Sequence, residues 1–244
     1  MRKVDIFGIK YSVTDYQGAS DLIIEKAKKR EKFSVFALPV HGVIERRRDP
    51  KFSLAVEGAN MILPDGQPIK WAMNYYHQTG LEDRVYGPEL TRAVLIKANE
   101  IGLSVFLYGG STSSVLERFS RYIEREYPNV KICGAYREEI FGETTLSNEW
   151  VSSLKPDIVL VGLGCPHQEK WISGNLNEIG GVLMGVGAAF SFYSGEIKIA
   201  PAWMQKRGLE WLYRLAIEPR RLWRRYLYAN SYFIFLILKK IILK

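Results

Sequence analysis

Cysteine and histidine are scarce: the 244-residue sequence has two of the first and three of the second. Cys133 and Cys165 are too few and too far apart for a disulfide framework or a cysteine-built metal cluster, and such usage suits a reducing, cytoplasmic setting. The start, MRKVDIFGIKYSV, is charged but has no apolar h-region, which argues against a secretory signal. Long hydrophobic runs are missing too. The longest, YFIFLIL (232–238), falls well short of the ~18–20 apolar residues of a spanning helix. There is no Asp-x-Asp and no G-x-x-x-x-G-K-[ST]. GLGCPH and GVGAAF begin as G-x-G but lack the third glycine and a convincing acidic residue ~20 positions later, so neither is a dinucleotide fingerprint.

Acidic residues are nearly absent from the C-terminal end. From Trp203 onward ten Lys and Arg stand against Glu210 and Glu218, which leaves 24 residues of each sign before it. The formal charge of +8 therefore resides in the tail, over a neutral body. A basic patch of this kind attracts phosphate-rich surfaces, nucleic acid or anionic lipid. Length favours one substantial domain with an appendage, here 1–200 and 201–244.

The middle of the chain alternates short apolar runs with helical periodicity. LSVFLYGG (103–110), VKICGAY (130–136), DIVLVGLG (157–164) and GVLMGVG (181–187) read as buried strands. Helical patterns separate them over 111–128, 146–154 and 166–176, the first opened by a Ser/Thr cap. Before these, DLIIEKAKKR and PELTRAVLIKANEIG suit helices, FSVFALPV a strand, and ANMILPDGQP a strand running into a turn. The alternation predicts an α/β fold with a mostly parallel sheet covered on both faces. Beyond Pro201, 204–217 reads as a helix, and Pro219 suits the first turn of a second. There Leu222, Trp223, Tyr226, Leu227, Asn230, Phe233, Ile234, Ile237 and Leu238 trace one face beside the arginines. That face suits a membrane surface; it also suits packing on the body or on a second subunit, as in a homo-oligomer.

Ligands of open α/β sheets bind beyond the carboxyl ends of the strands, where helix N-termini offer N–H groups to anions. YGGSTSS, CGAYREE and GLGCPHQEK occupy such positions, which makes Gly109, Gly110, Ser111, Tyr136 and Gly164 candidate nucleotide contacts. Gln168 and Glu169 put an amide and a carboxylate within reach of sugar hydroxyls, although Glu169 equally suits helix capping. Asp65 follows an apolar strand in a turn, and Asp-Gly is also a common structural turn pair. Arg84 suits a phosphate clamp or an ordinary surface charge. His41 in LPVHGVIERRRD is a base or a satisfied structural residue.

PDGQP (64–68), DRVYGPEL (83–90), YGG, VGLGCPHQEKWI, GVGAAFSFYSG, AP.W (200–203) and GLEWLYRLAIEPRRLWRRY together resemble the WecG/TagA/CpsF family, glycosyltransferase family 26. These motifs occur in the expected order from about position 35 to 226. The resemblance implies a Rossmann-like sheet with a basic helical appendage at the membrane. It also implies an inverting transferase moving a sugar from a UDP-sugar to a polyprenyl-pyrophosphate-linked acceptor in surface-polymer synthesis, peripherally on the cytoplasmic face, with no cofactor. By the same resemblance Asp65 is the base, Arg84 the substrate-binding arginine, Gln168 the donor-site glutamine, and Arg214, Arg221 and Arg224 the appendage arginines. An inverting transfer needs a carboxylate to take the acceptor hydroxyl's proton and stabilisation of the departing UDP; without Asp-x-Asp, arginines rather than a metal are expected to supply it.

Two departures stand out. Ala37-Leu38-Pro39 replaces a frequent Thr-x-Asn, and Ser191 replaces an Asp, so the transferred sugar does not carry over from well-known members. His41 is a candidate replacement for the lost polar contact. Competing readings are a basic nucleic-acid-binding protein, opposed by the neutral body and YFIFLIL, and a non-catalytic nucleotide-sugar scaffold, opposed by the joint presence of Asp65, Arg84 and Gln168.

Overall fold

The computed structural model describes residues 1–138, 146–201, 203–204 and 207–242, except the side chains of Arg221 and Arg225. The chain opens with an antiparallel hairpin of β1 (Lys3–Ile6) and β2 (Ile9–Ser12). Phe7 and Gly8 link them with φ of 52° and 90°, the left-handed pair that a two-residue hairpin turn requires. Alternation buries Val4, Ile6, Ile9 and Tyr11.

A six-stranded sheet follows, built from β3 (Phe33–Leu38), β4 (Met61–Pro64), β5 (Ser104–Gly109), β6 (Lys131–Tyr136), β7 (Ile158–Gly162) and β8 (Val182–Gly185). The order is β4-β3-β8-β7-β5-β6, with every pair parallel. Parallel sheets are covered on both faces, and the side-chain period of two divides each strand between two cores. On β5, Val105 and Leu107 enter one core while Phe106 and Tyr108 enter the other. The first core lies under α1 (Tyr16–Lys28), α5 (Gly87–Ile101), α6 (Ser113–Glu126) and α9 (Ala189–Tyr193). The second lies under α2 (Val40–Arg48), α3 (Pro50–Glu57), α4 (Gln67–His77), α7 (Asn148–Ser153) and α8 (His167–Ile179).

Two helices end the chain, α10 (Glu210–Ile217) and α11 (Pro219–Ile242), with Pro219 at the first helical position. The single helix expected over 204–217 is interrupted: Trp203 and Met204 are helical, Gly208 turns at φ +70°, and α10 begins at Glu210. The expected single apolar stripe of α11 divides in two. Leu222, Ala229, Phe233 and Leu236 are buried against the body. Phe233 meets Phe7 edge-on at 5.4 Å, Arg47 donates to the Tyr232 hydroxyl at 2.6 Å, and the Tyr76 hydroxyl donates to the Ile237 carbonyl at 3.1 Å. Trp223, Leu227, Ile234 and Leu238 are exposed. Eleven-residue steps such as Trp223 to Ile234 and Leu227 to Leu238 keep these side chains on a second face of the same helix. No helix of the described residues is long and apolar enough to cross a membrane.

Candidate active site

All six parallel strands end at one edge, and the loops leaving them wall a two-lobed cleft. Its smaller lobe, about 240 Å³, lies between the starts of α4 and α5 and the two C-terminal helices. The larger, about 1010 Å³, lies over the ends of β5 and β7. Here the chain leaves β7 for β8 on one side and β5 for β6 on the other, the switch point where ligands of such sheets bind. Ala37, Pro39, Asp65, Gln168, Gly187, Ala188 and Arg214 line both lobes and mark their junction.

Asp65 immediately follows β4, and its N–H donates to the Leu38 carbonyl at 3.3 Å. Gly66, at φ 96° and ψ 146°, then turns the chain into α4, a conformation open to glycine and strained for other residues. Arg84 enters the same lobe, stacked over the Tyr86 ring at 4.6 Å and paired with Glu210, the first residue of α10. Their side chains are only 12% and 6% exposed. A carboxylate at a helix N-terminus also gains from the helix dipole. Burial works to lower the Arg84 pKa, but Glu210 and Asp65 outweigh it and the net direction is upward. Three phenols surround the cluster. Burial, reinforced by the Asp65 charge, pushes the Tyr11 hydroxyl up. Tyr16 and Tyr86 are also raised, again chiefly by burial. All three stay neutral near pH 7, and the Tyr86 N–H donates to the Tyr16 hydroxyl at 3.2 Å.

His41, second residue of α2, lines the smaller lobe with Nε2 3.5 Å from Glu45 Oε1.

Gly109, Gly110 and Ser111 form the turn from β5 to α6 and line the larger lobe, as does Gly164. Gly109 has φ 122°, and a Cβ there would stand 2.6 Å from the Gly162 carbonyl oxygen, so the turn requires glycine. Ser111 donates to Glu196 at 2.7 Å, and Arg137 donates to the Ser111 carbonyl at 3.2 Å. Lys51, Arg137, Lys170 and Arg214 bring positive charge to this lobe, beside the carboxylates of Asp65, Glu138, Glu196 and Glu218. Burial, then Lys170, lowers the His167 pKa, which leaves that imidazole neutral near pH 7. Gln168 is 3% exposed. Its Oε1 accepts from the Gly187 N–H at 3.1 Å, and its Nε2 donates to Glu169 Oε1 at 2.9 Å.

Nine candidates thus converge on the cleft: His41, Asp65, Arg84, Gly109, Gly110, Ser111, Gly164, Gln168 and Arg214. Three others lie off its walls. Glu169 is fully buried behind Gln168. Tyr136 packs its ring 6.2 Å from Tyr108. Arg224 is exposed over Trp223 at 5.2 Å. The Arg221 side chain lies outside the described residues. Ala37, Pro39 and Ser191, the departures, all line the cleft. Sequence reasoning missed Tyr11, Tyr16, Tyr86, Glu210, Lys51, Lys170 and Arg137. Of these, Tyr86, Arg137, Lys170 and Glu210 lie inside quoted motifs, whereas Tyr11 is brought in by a hairpin whose short strands carry no clear pattern. Among the described residues no group of three or more His, Cys, Asp or Glu is placed to hold a metal ion.

Comparison with known proteins fits this geometry. The model of the glycosyl transferase WecG/TagA/CpsF family matches residues 4–244. The N-acetylglucosaminyldiphosphoundecaprenol N-acetyl-beta-D-mannosaminyltransferase of Bacillus subtilis (strain 168) is 35% identical over 186 residues, 76% of this chain and 71% of that protein. The enzyme of the same name from Bacillus spizizenii is 31% identical over 201 residues, 82% and 76% of the two chains. That of Staphylococcus aureus (strain NCTC 8325 / PS 47) is 32% identical over 171 residues, 69% and 66%. A family match across nearly the whole chain, on a fold whose strand ends carry the expected motifs, makes this protein a glycosyltransferase of the WecG/TagA/CpsF family.

Proposed function

We propose that the protein transfers a sugar, with inversion, from a UDP-sugar in the larger lobe to a hydroxyl of a polyprenyl-diphosphate-linked saccharide in the smaller lobe. The observation that carries this reading is Asp65 at the junction, with Arg84 on one side and, on the other, a lobe at the strand ends that holds glycine turns, two helix starts and Lys51, Arg137, Lys170 and Arg214. Backbone N–H groups at the starts of α6 and α8, together with Lys51, Lys170 and Arg137, suit a nucleoside diphosphate. Asp65 takes the proton of the acceptor hydroxyl as its oxygen bonds to C1 from the face opposite the departing UDP. The C1–O bond breaks, its electron pair leaves on the β-phosphate, and Arg214, which lines both lobes, stabilises that charge, while Arg84 holds the acceptor side. The relatives' names specify an N-acetylmannosaminyl group and an N-acetylglucosaminyl-diphosphoundecaprenol acceptor, and the same acceptor class is proposed here. For the sugar, Ala37 and Pro39 make the junction wall apolar.

Incubation with a panel of UDP-sugars and a short-chain polyprenyl-diphosphate-GlcNAc or -glucose acceptor tests the reading. Transfer is expected to invert the anomeric centre, to survive EDTA, and to fall about 10²–10⁴-fold in Asp65→Asn, the usual weight of a general base. Loss of activity in EDTA overturns the metal-free step. Absence of transfer from every donor instead favours a nucleotide-sugar scaffold.

A further inference from the structure

Two carboxylates share one buried guanidinium in the smaller lobe. Asp65 comes from the end of β4 and Glu210 from the C-terminal segment, with Arg84 electrostatically coupled to both. We infer that Glu210 is a positioning residue for transfer: it orients Arg84 and balances its charge beside Asp65. This rests on the reading of Asp65 as the base.

Arg84 is held on several sides. Glu210 takes one edge of the guanidinium, the Tyr86 ring lies under its face, and the Arg84 backbone N–H is fixed by Asp83 Oδ1 at 2.7 Å. Removal of the Glu210 charge would free the guanidinium to turn, with its positive charge uncompensated in a poorly solvated cluster. An unbalanced cation near a carboxylate favours the ionised form, so Asp65 would become a weaker base and transfer its proton less readily. Other groups facing the cluster do not substitute for that carboxylate. Tyr11 from β2, Tyr16 from α1 and Tyr86 ahead of α5 remain neutral phenols. Asp83 Oδ1 is engaged by the Arg84 backbone N–H at 2.7 Å and by Gln67 Nε2 at 3.3 Å, and Cys165 stands near Tyr11. Arg214 on α10 pairs with Glu218 at 3.5 Å, and His41 on α2 lies beside Glu45. Because Glu210 opens α10, its contact with Arg84 also links docking of the C-terminal helices to the chemistry.

The test is the pH dependence of kcat/KM for the full chain, measured with the donor and short-chain acceptor identified above. Glu210→Gln is expected to lower kcat about tenfold and to move the acid limb about one pH unit lower, the scale on which one nearby charge acts. Donor KM should change little, and Glu210→Asp should keep the acid limb in place. A profile equal to wild type, or a uniform loss with the limb unmoved, overturns the inference. Should Glu210→Gln fail to fold, as melting would reveal, Glu210→Asp decides: a displaced limb there overturns it. Full transfer in Asp65→Asn would sink the base assignment itself, whereas a dead Asp65→Asn beside a wild-type Glu210→Gln profile would sink only this inference.

Discussion

Gln168 uses both ends of its amide inside the protein, and the space it occupies exists because Gly185 has no side chain. A Cβ at Gly185 would stand 2.9 Å from Gln168 Nε2. The amide joins α8 to the loop after β8 through Gly187, and it presents its donor end to the buried Glu169. Its first task is therefore to hold Gly187 and Ala188 in place at the junction of the lobes. Gln168→Glu preserves shape but aims a second carboxyl at Glu169. Losing a buried donor of this kind costs about 1–3 kcal/mol, so a lower melting temperature is expected. Mutual repulsion raises the folded-state pKa of the pair above the unfolded carboxyl value. Stability is then retained while a proton is shared at low pH and lost as pH rises through the raised pKa. The melting gap to wild type should widen between about pH 5 and pH 8; a gap independent of pH would show that Glu169 is not the cause.

Among the elements, the C-terminal helix separates what patterning can and cannot convey. Strands β5, β7 and β8 were readable because a strand buried on both faces is a continuous apolar run between glycine turns, and α6 because a Thr cap precedes a clear stripe. The hairpin of β1 and β2 was not, since its strands have four residues each and its turn begins with Phe7 rather than Asn or Gly. Helices α2, α3 and α4 were also unassigned. The arginines of α2 obscure its periodicity because they serve tertiary contacts: Arg46 pairs with Glu57, Arg47 donates to Tyr232, and Arg48 lies 4.4 Å from the Tyr228 ring. The site was legible to the extent that it follows strand ends, as Asp65, Gly109 and Gln168 do. Glu210 was hidden because its partner, Arg84, lies 126 positions away. On α11 the nine-residue stripe joined two surfaces: a docked one through Phe233 and a free one through Leu227. Phe233→Ala should remove the wedge against Phe7, with large-to-small changes of buried aromatics costing about 3–5 kcal/mol. Hydrogen exchange is expected to quicken in α11 while β5 and β7 keep their protection; unchanged exchange in α11 would mean that the helix is held by its other contacts.

At the scale of the molecule, charge and exposed apolar surface coincide. The neutral body carries the sheet, while the C-terminal segment carries the excess of +8. Its free face shows Trp223, Leu227, Ile234 and Leu238, with Arg220 and Arg224 at the same end as Trp223. Trp71 and Trp211, both lining the smaller lobe, are 59% and 47% exposed. Trp211 meets Tyr226 of α11 at 6.3 Å, so the mouth proposed for the acceptor adjoins the helix that bears this face. We propose that this surface rests on the anionic cytoplasmic leaflet, which would bring the lipid-linked acceptor to Asp65 without a spanning helix. Basic residues near such a leaflet contribute about 1 kcal/mol each, and buried apolar side chains add to that. Binding to vesicles containing anionic lipid should weaken as salt rises, because the Debye length shortens from ~10 Å at 0.1 M to ~3 Å at 1 M. Leu227→Glu combined with Ile234→Glu should reduce vesicle binding at least tenfold, yet leave transfer to a water-soluble acceptor near wild type, since both side chains point away from the cleft. Undiminished vesicle binding by the double variant would place the membrane contact elsewhere. Loss of transfer to the soluble acceptor would instead show that this face serves the site itself.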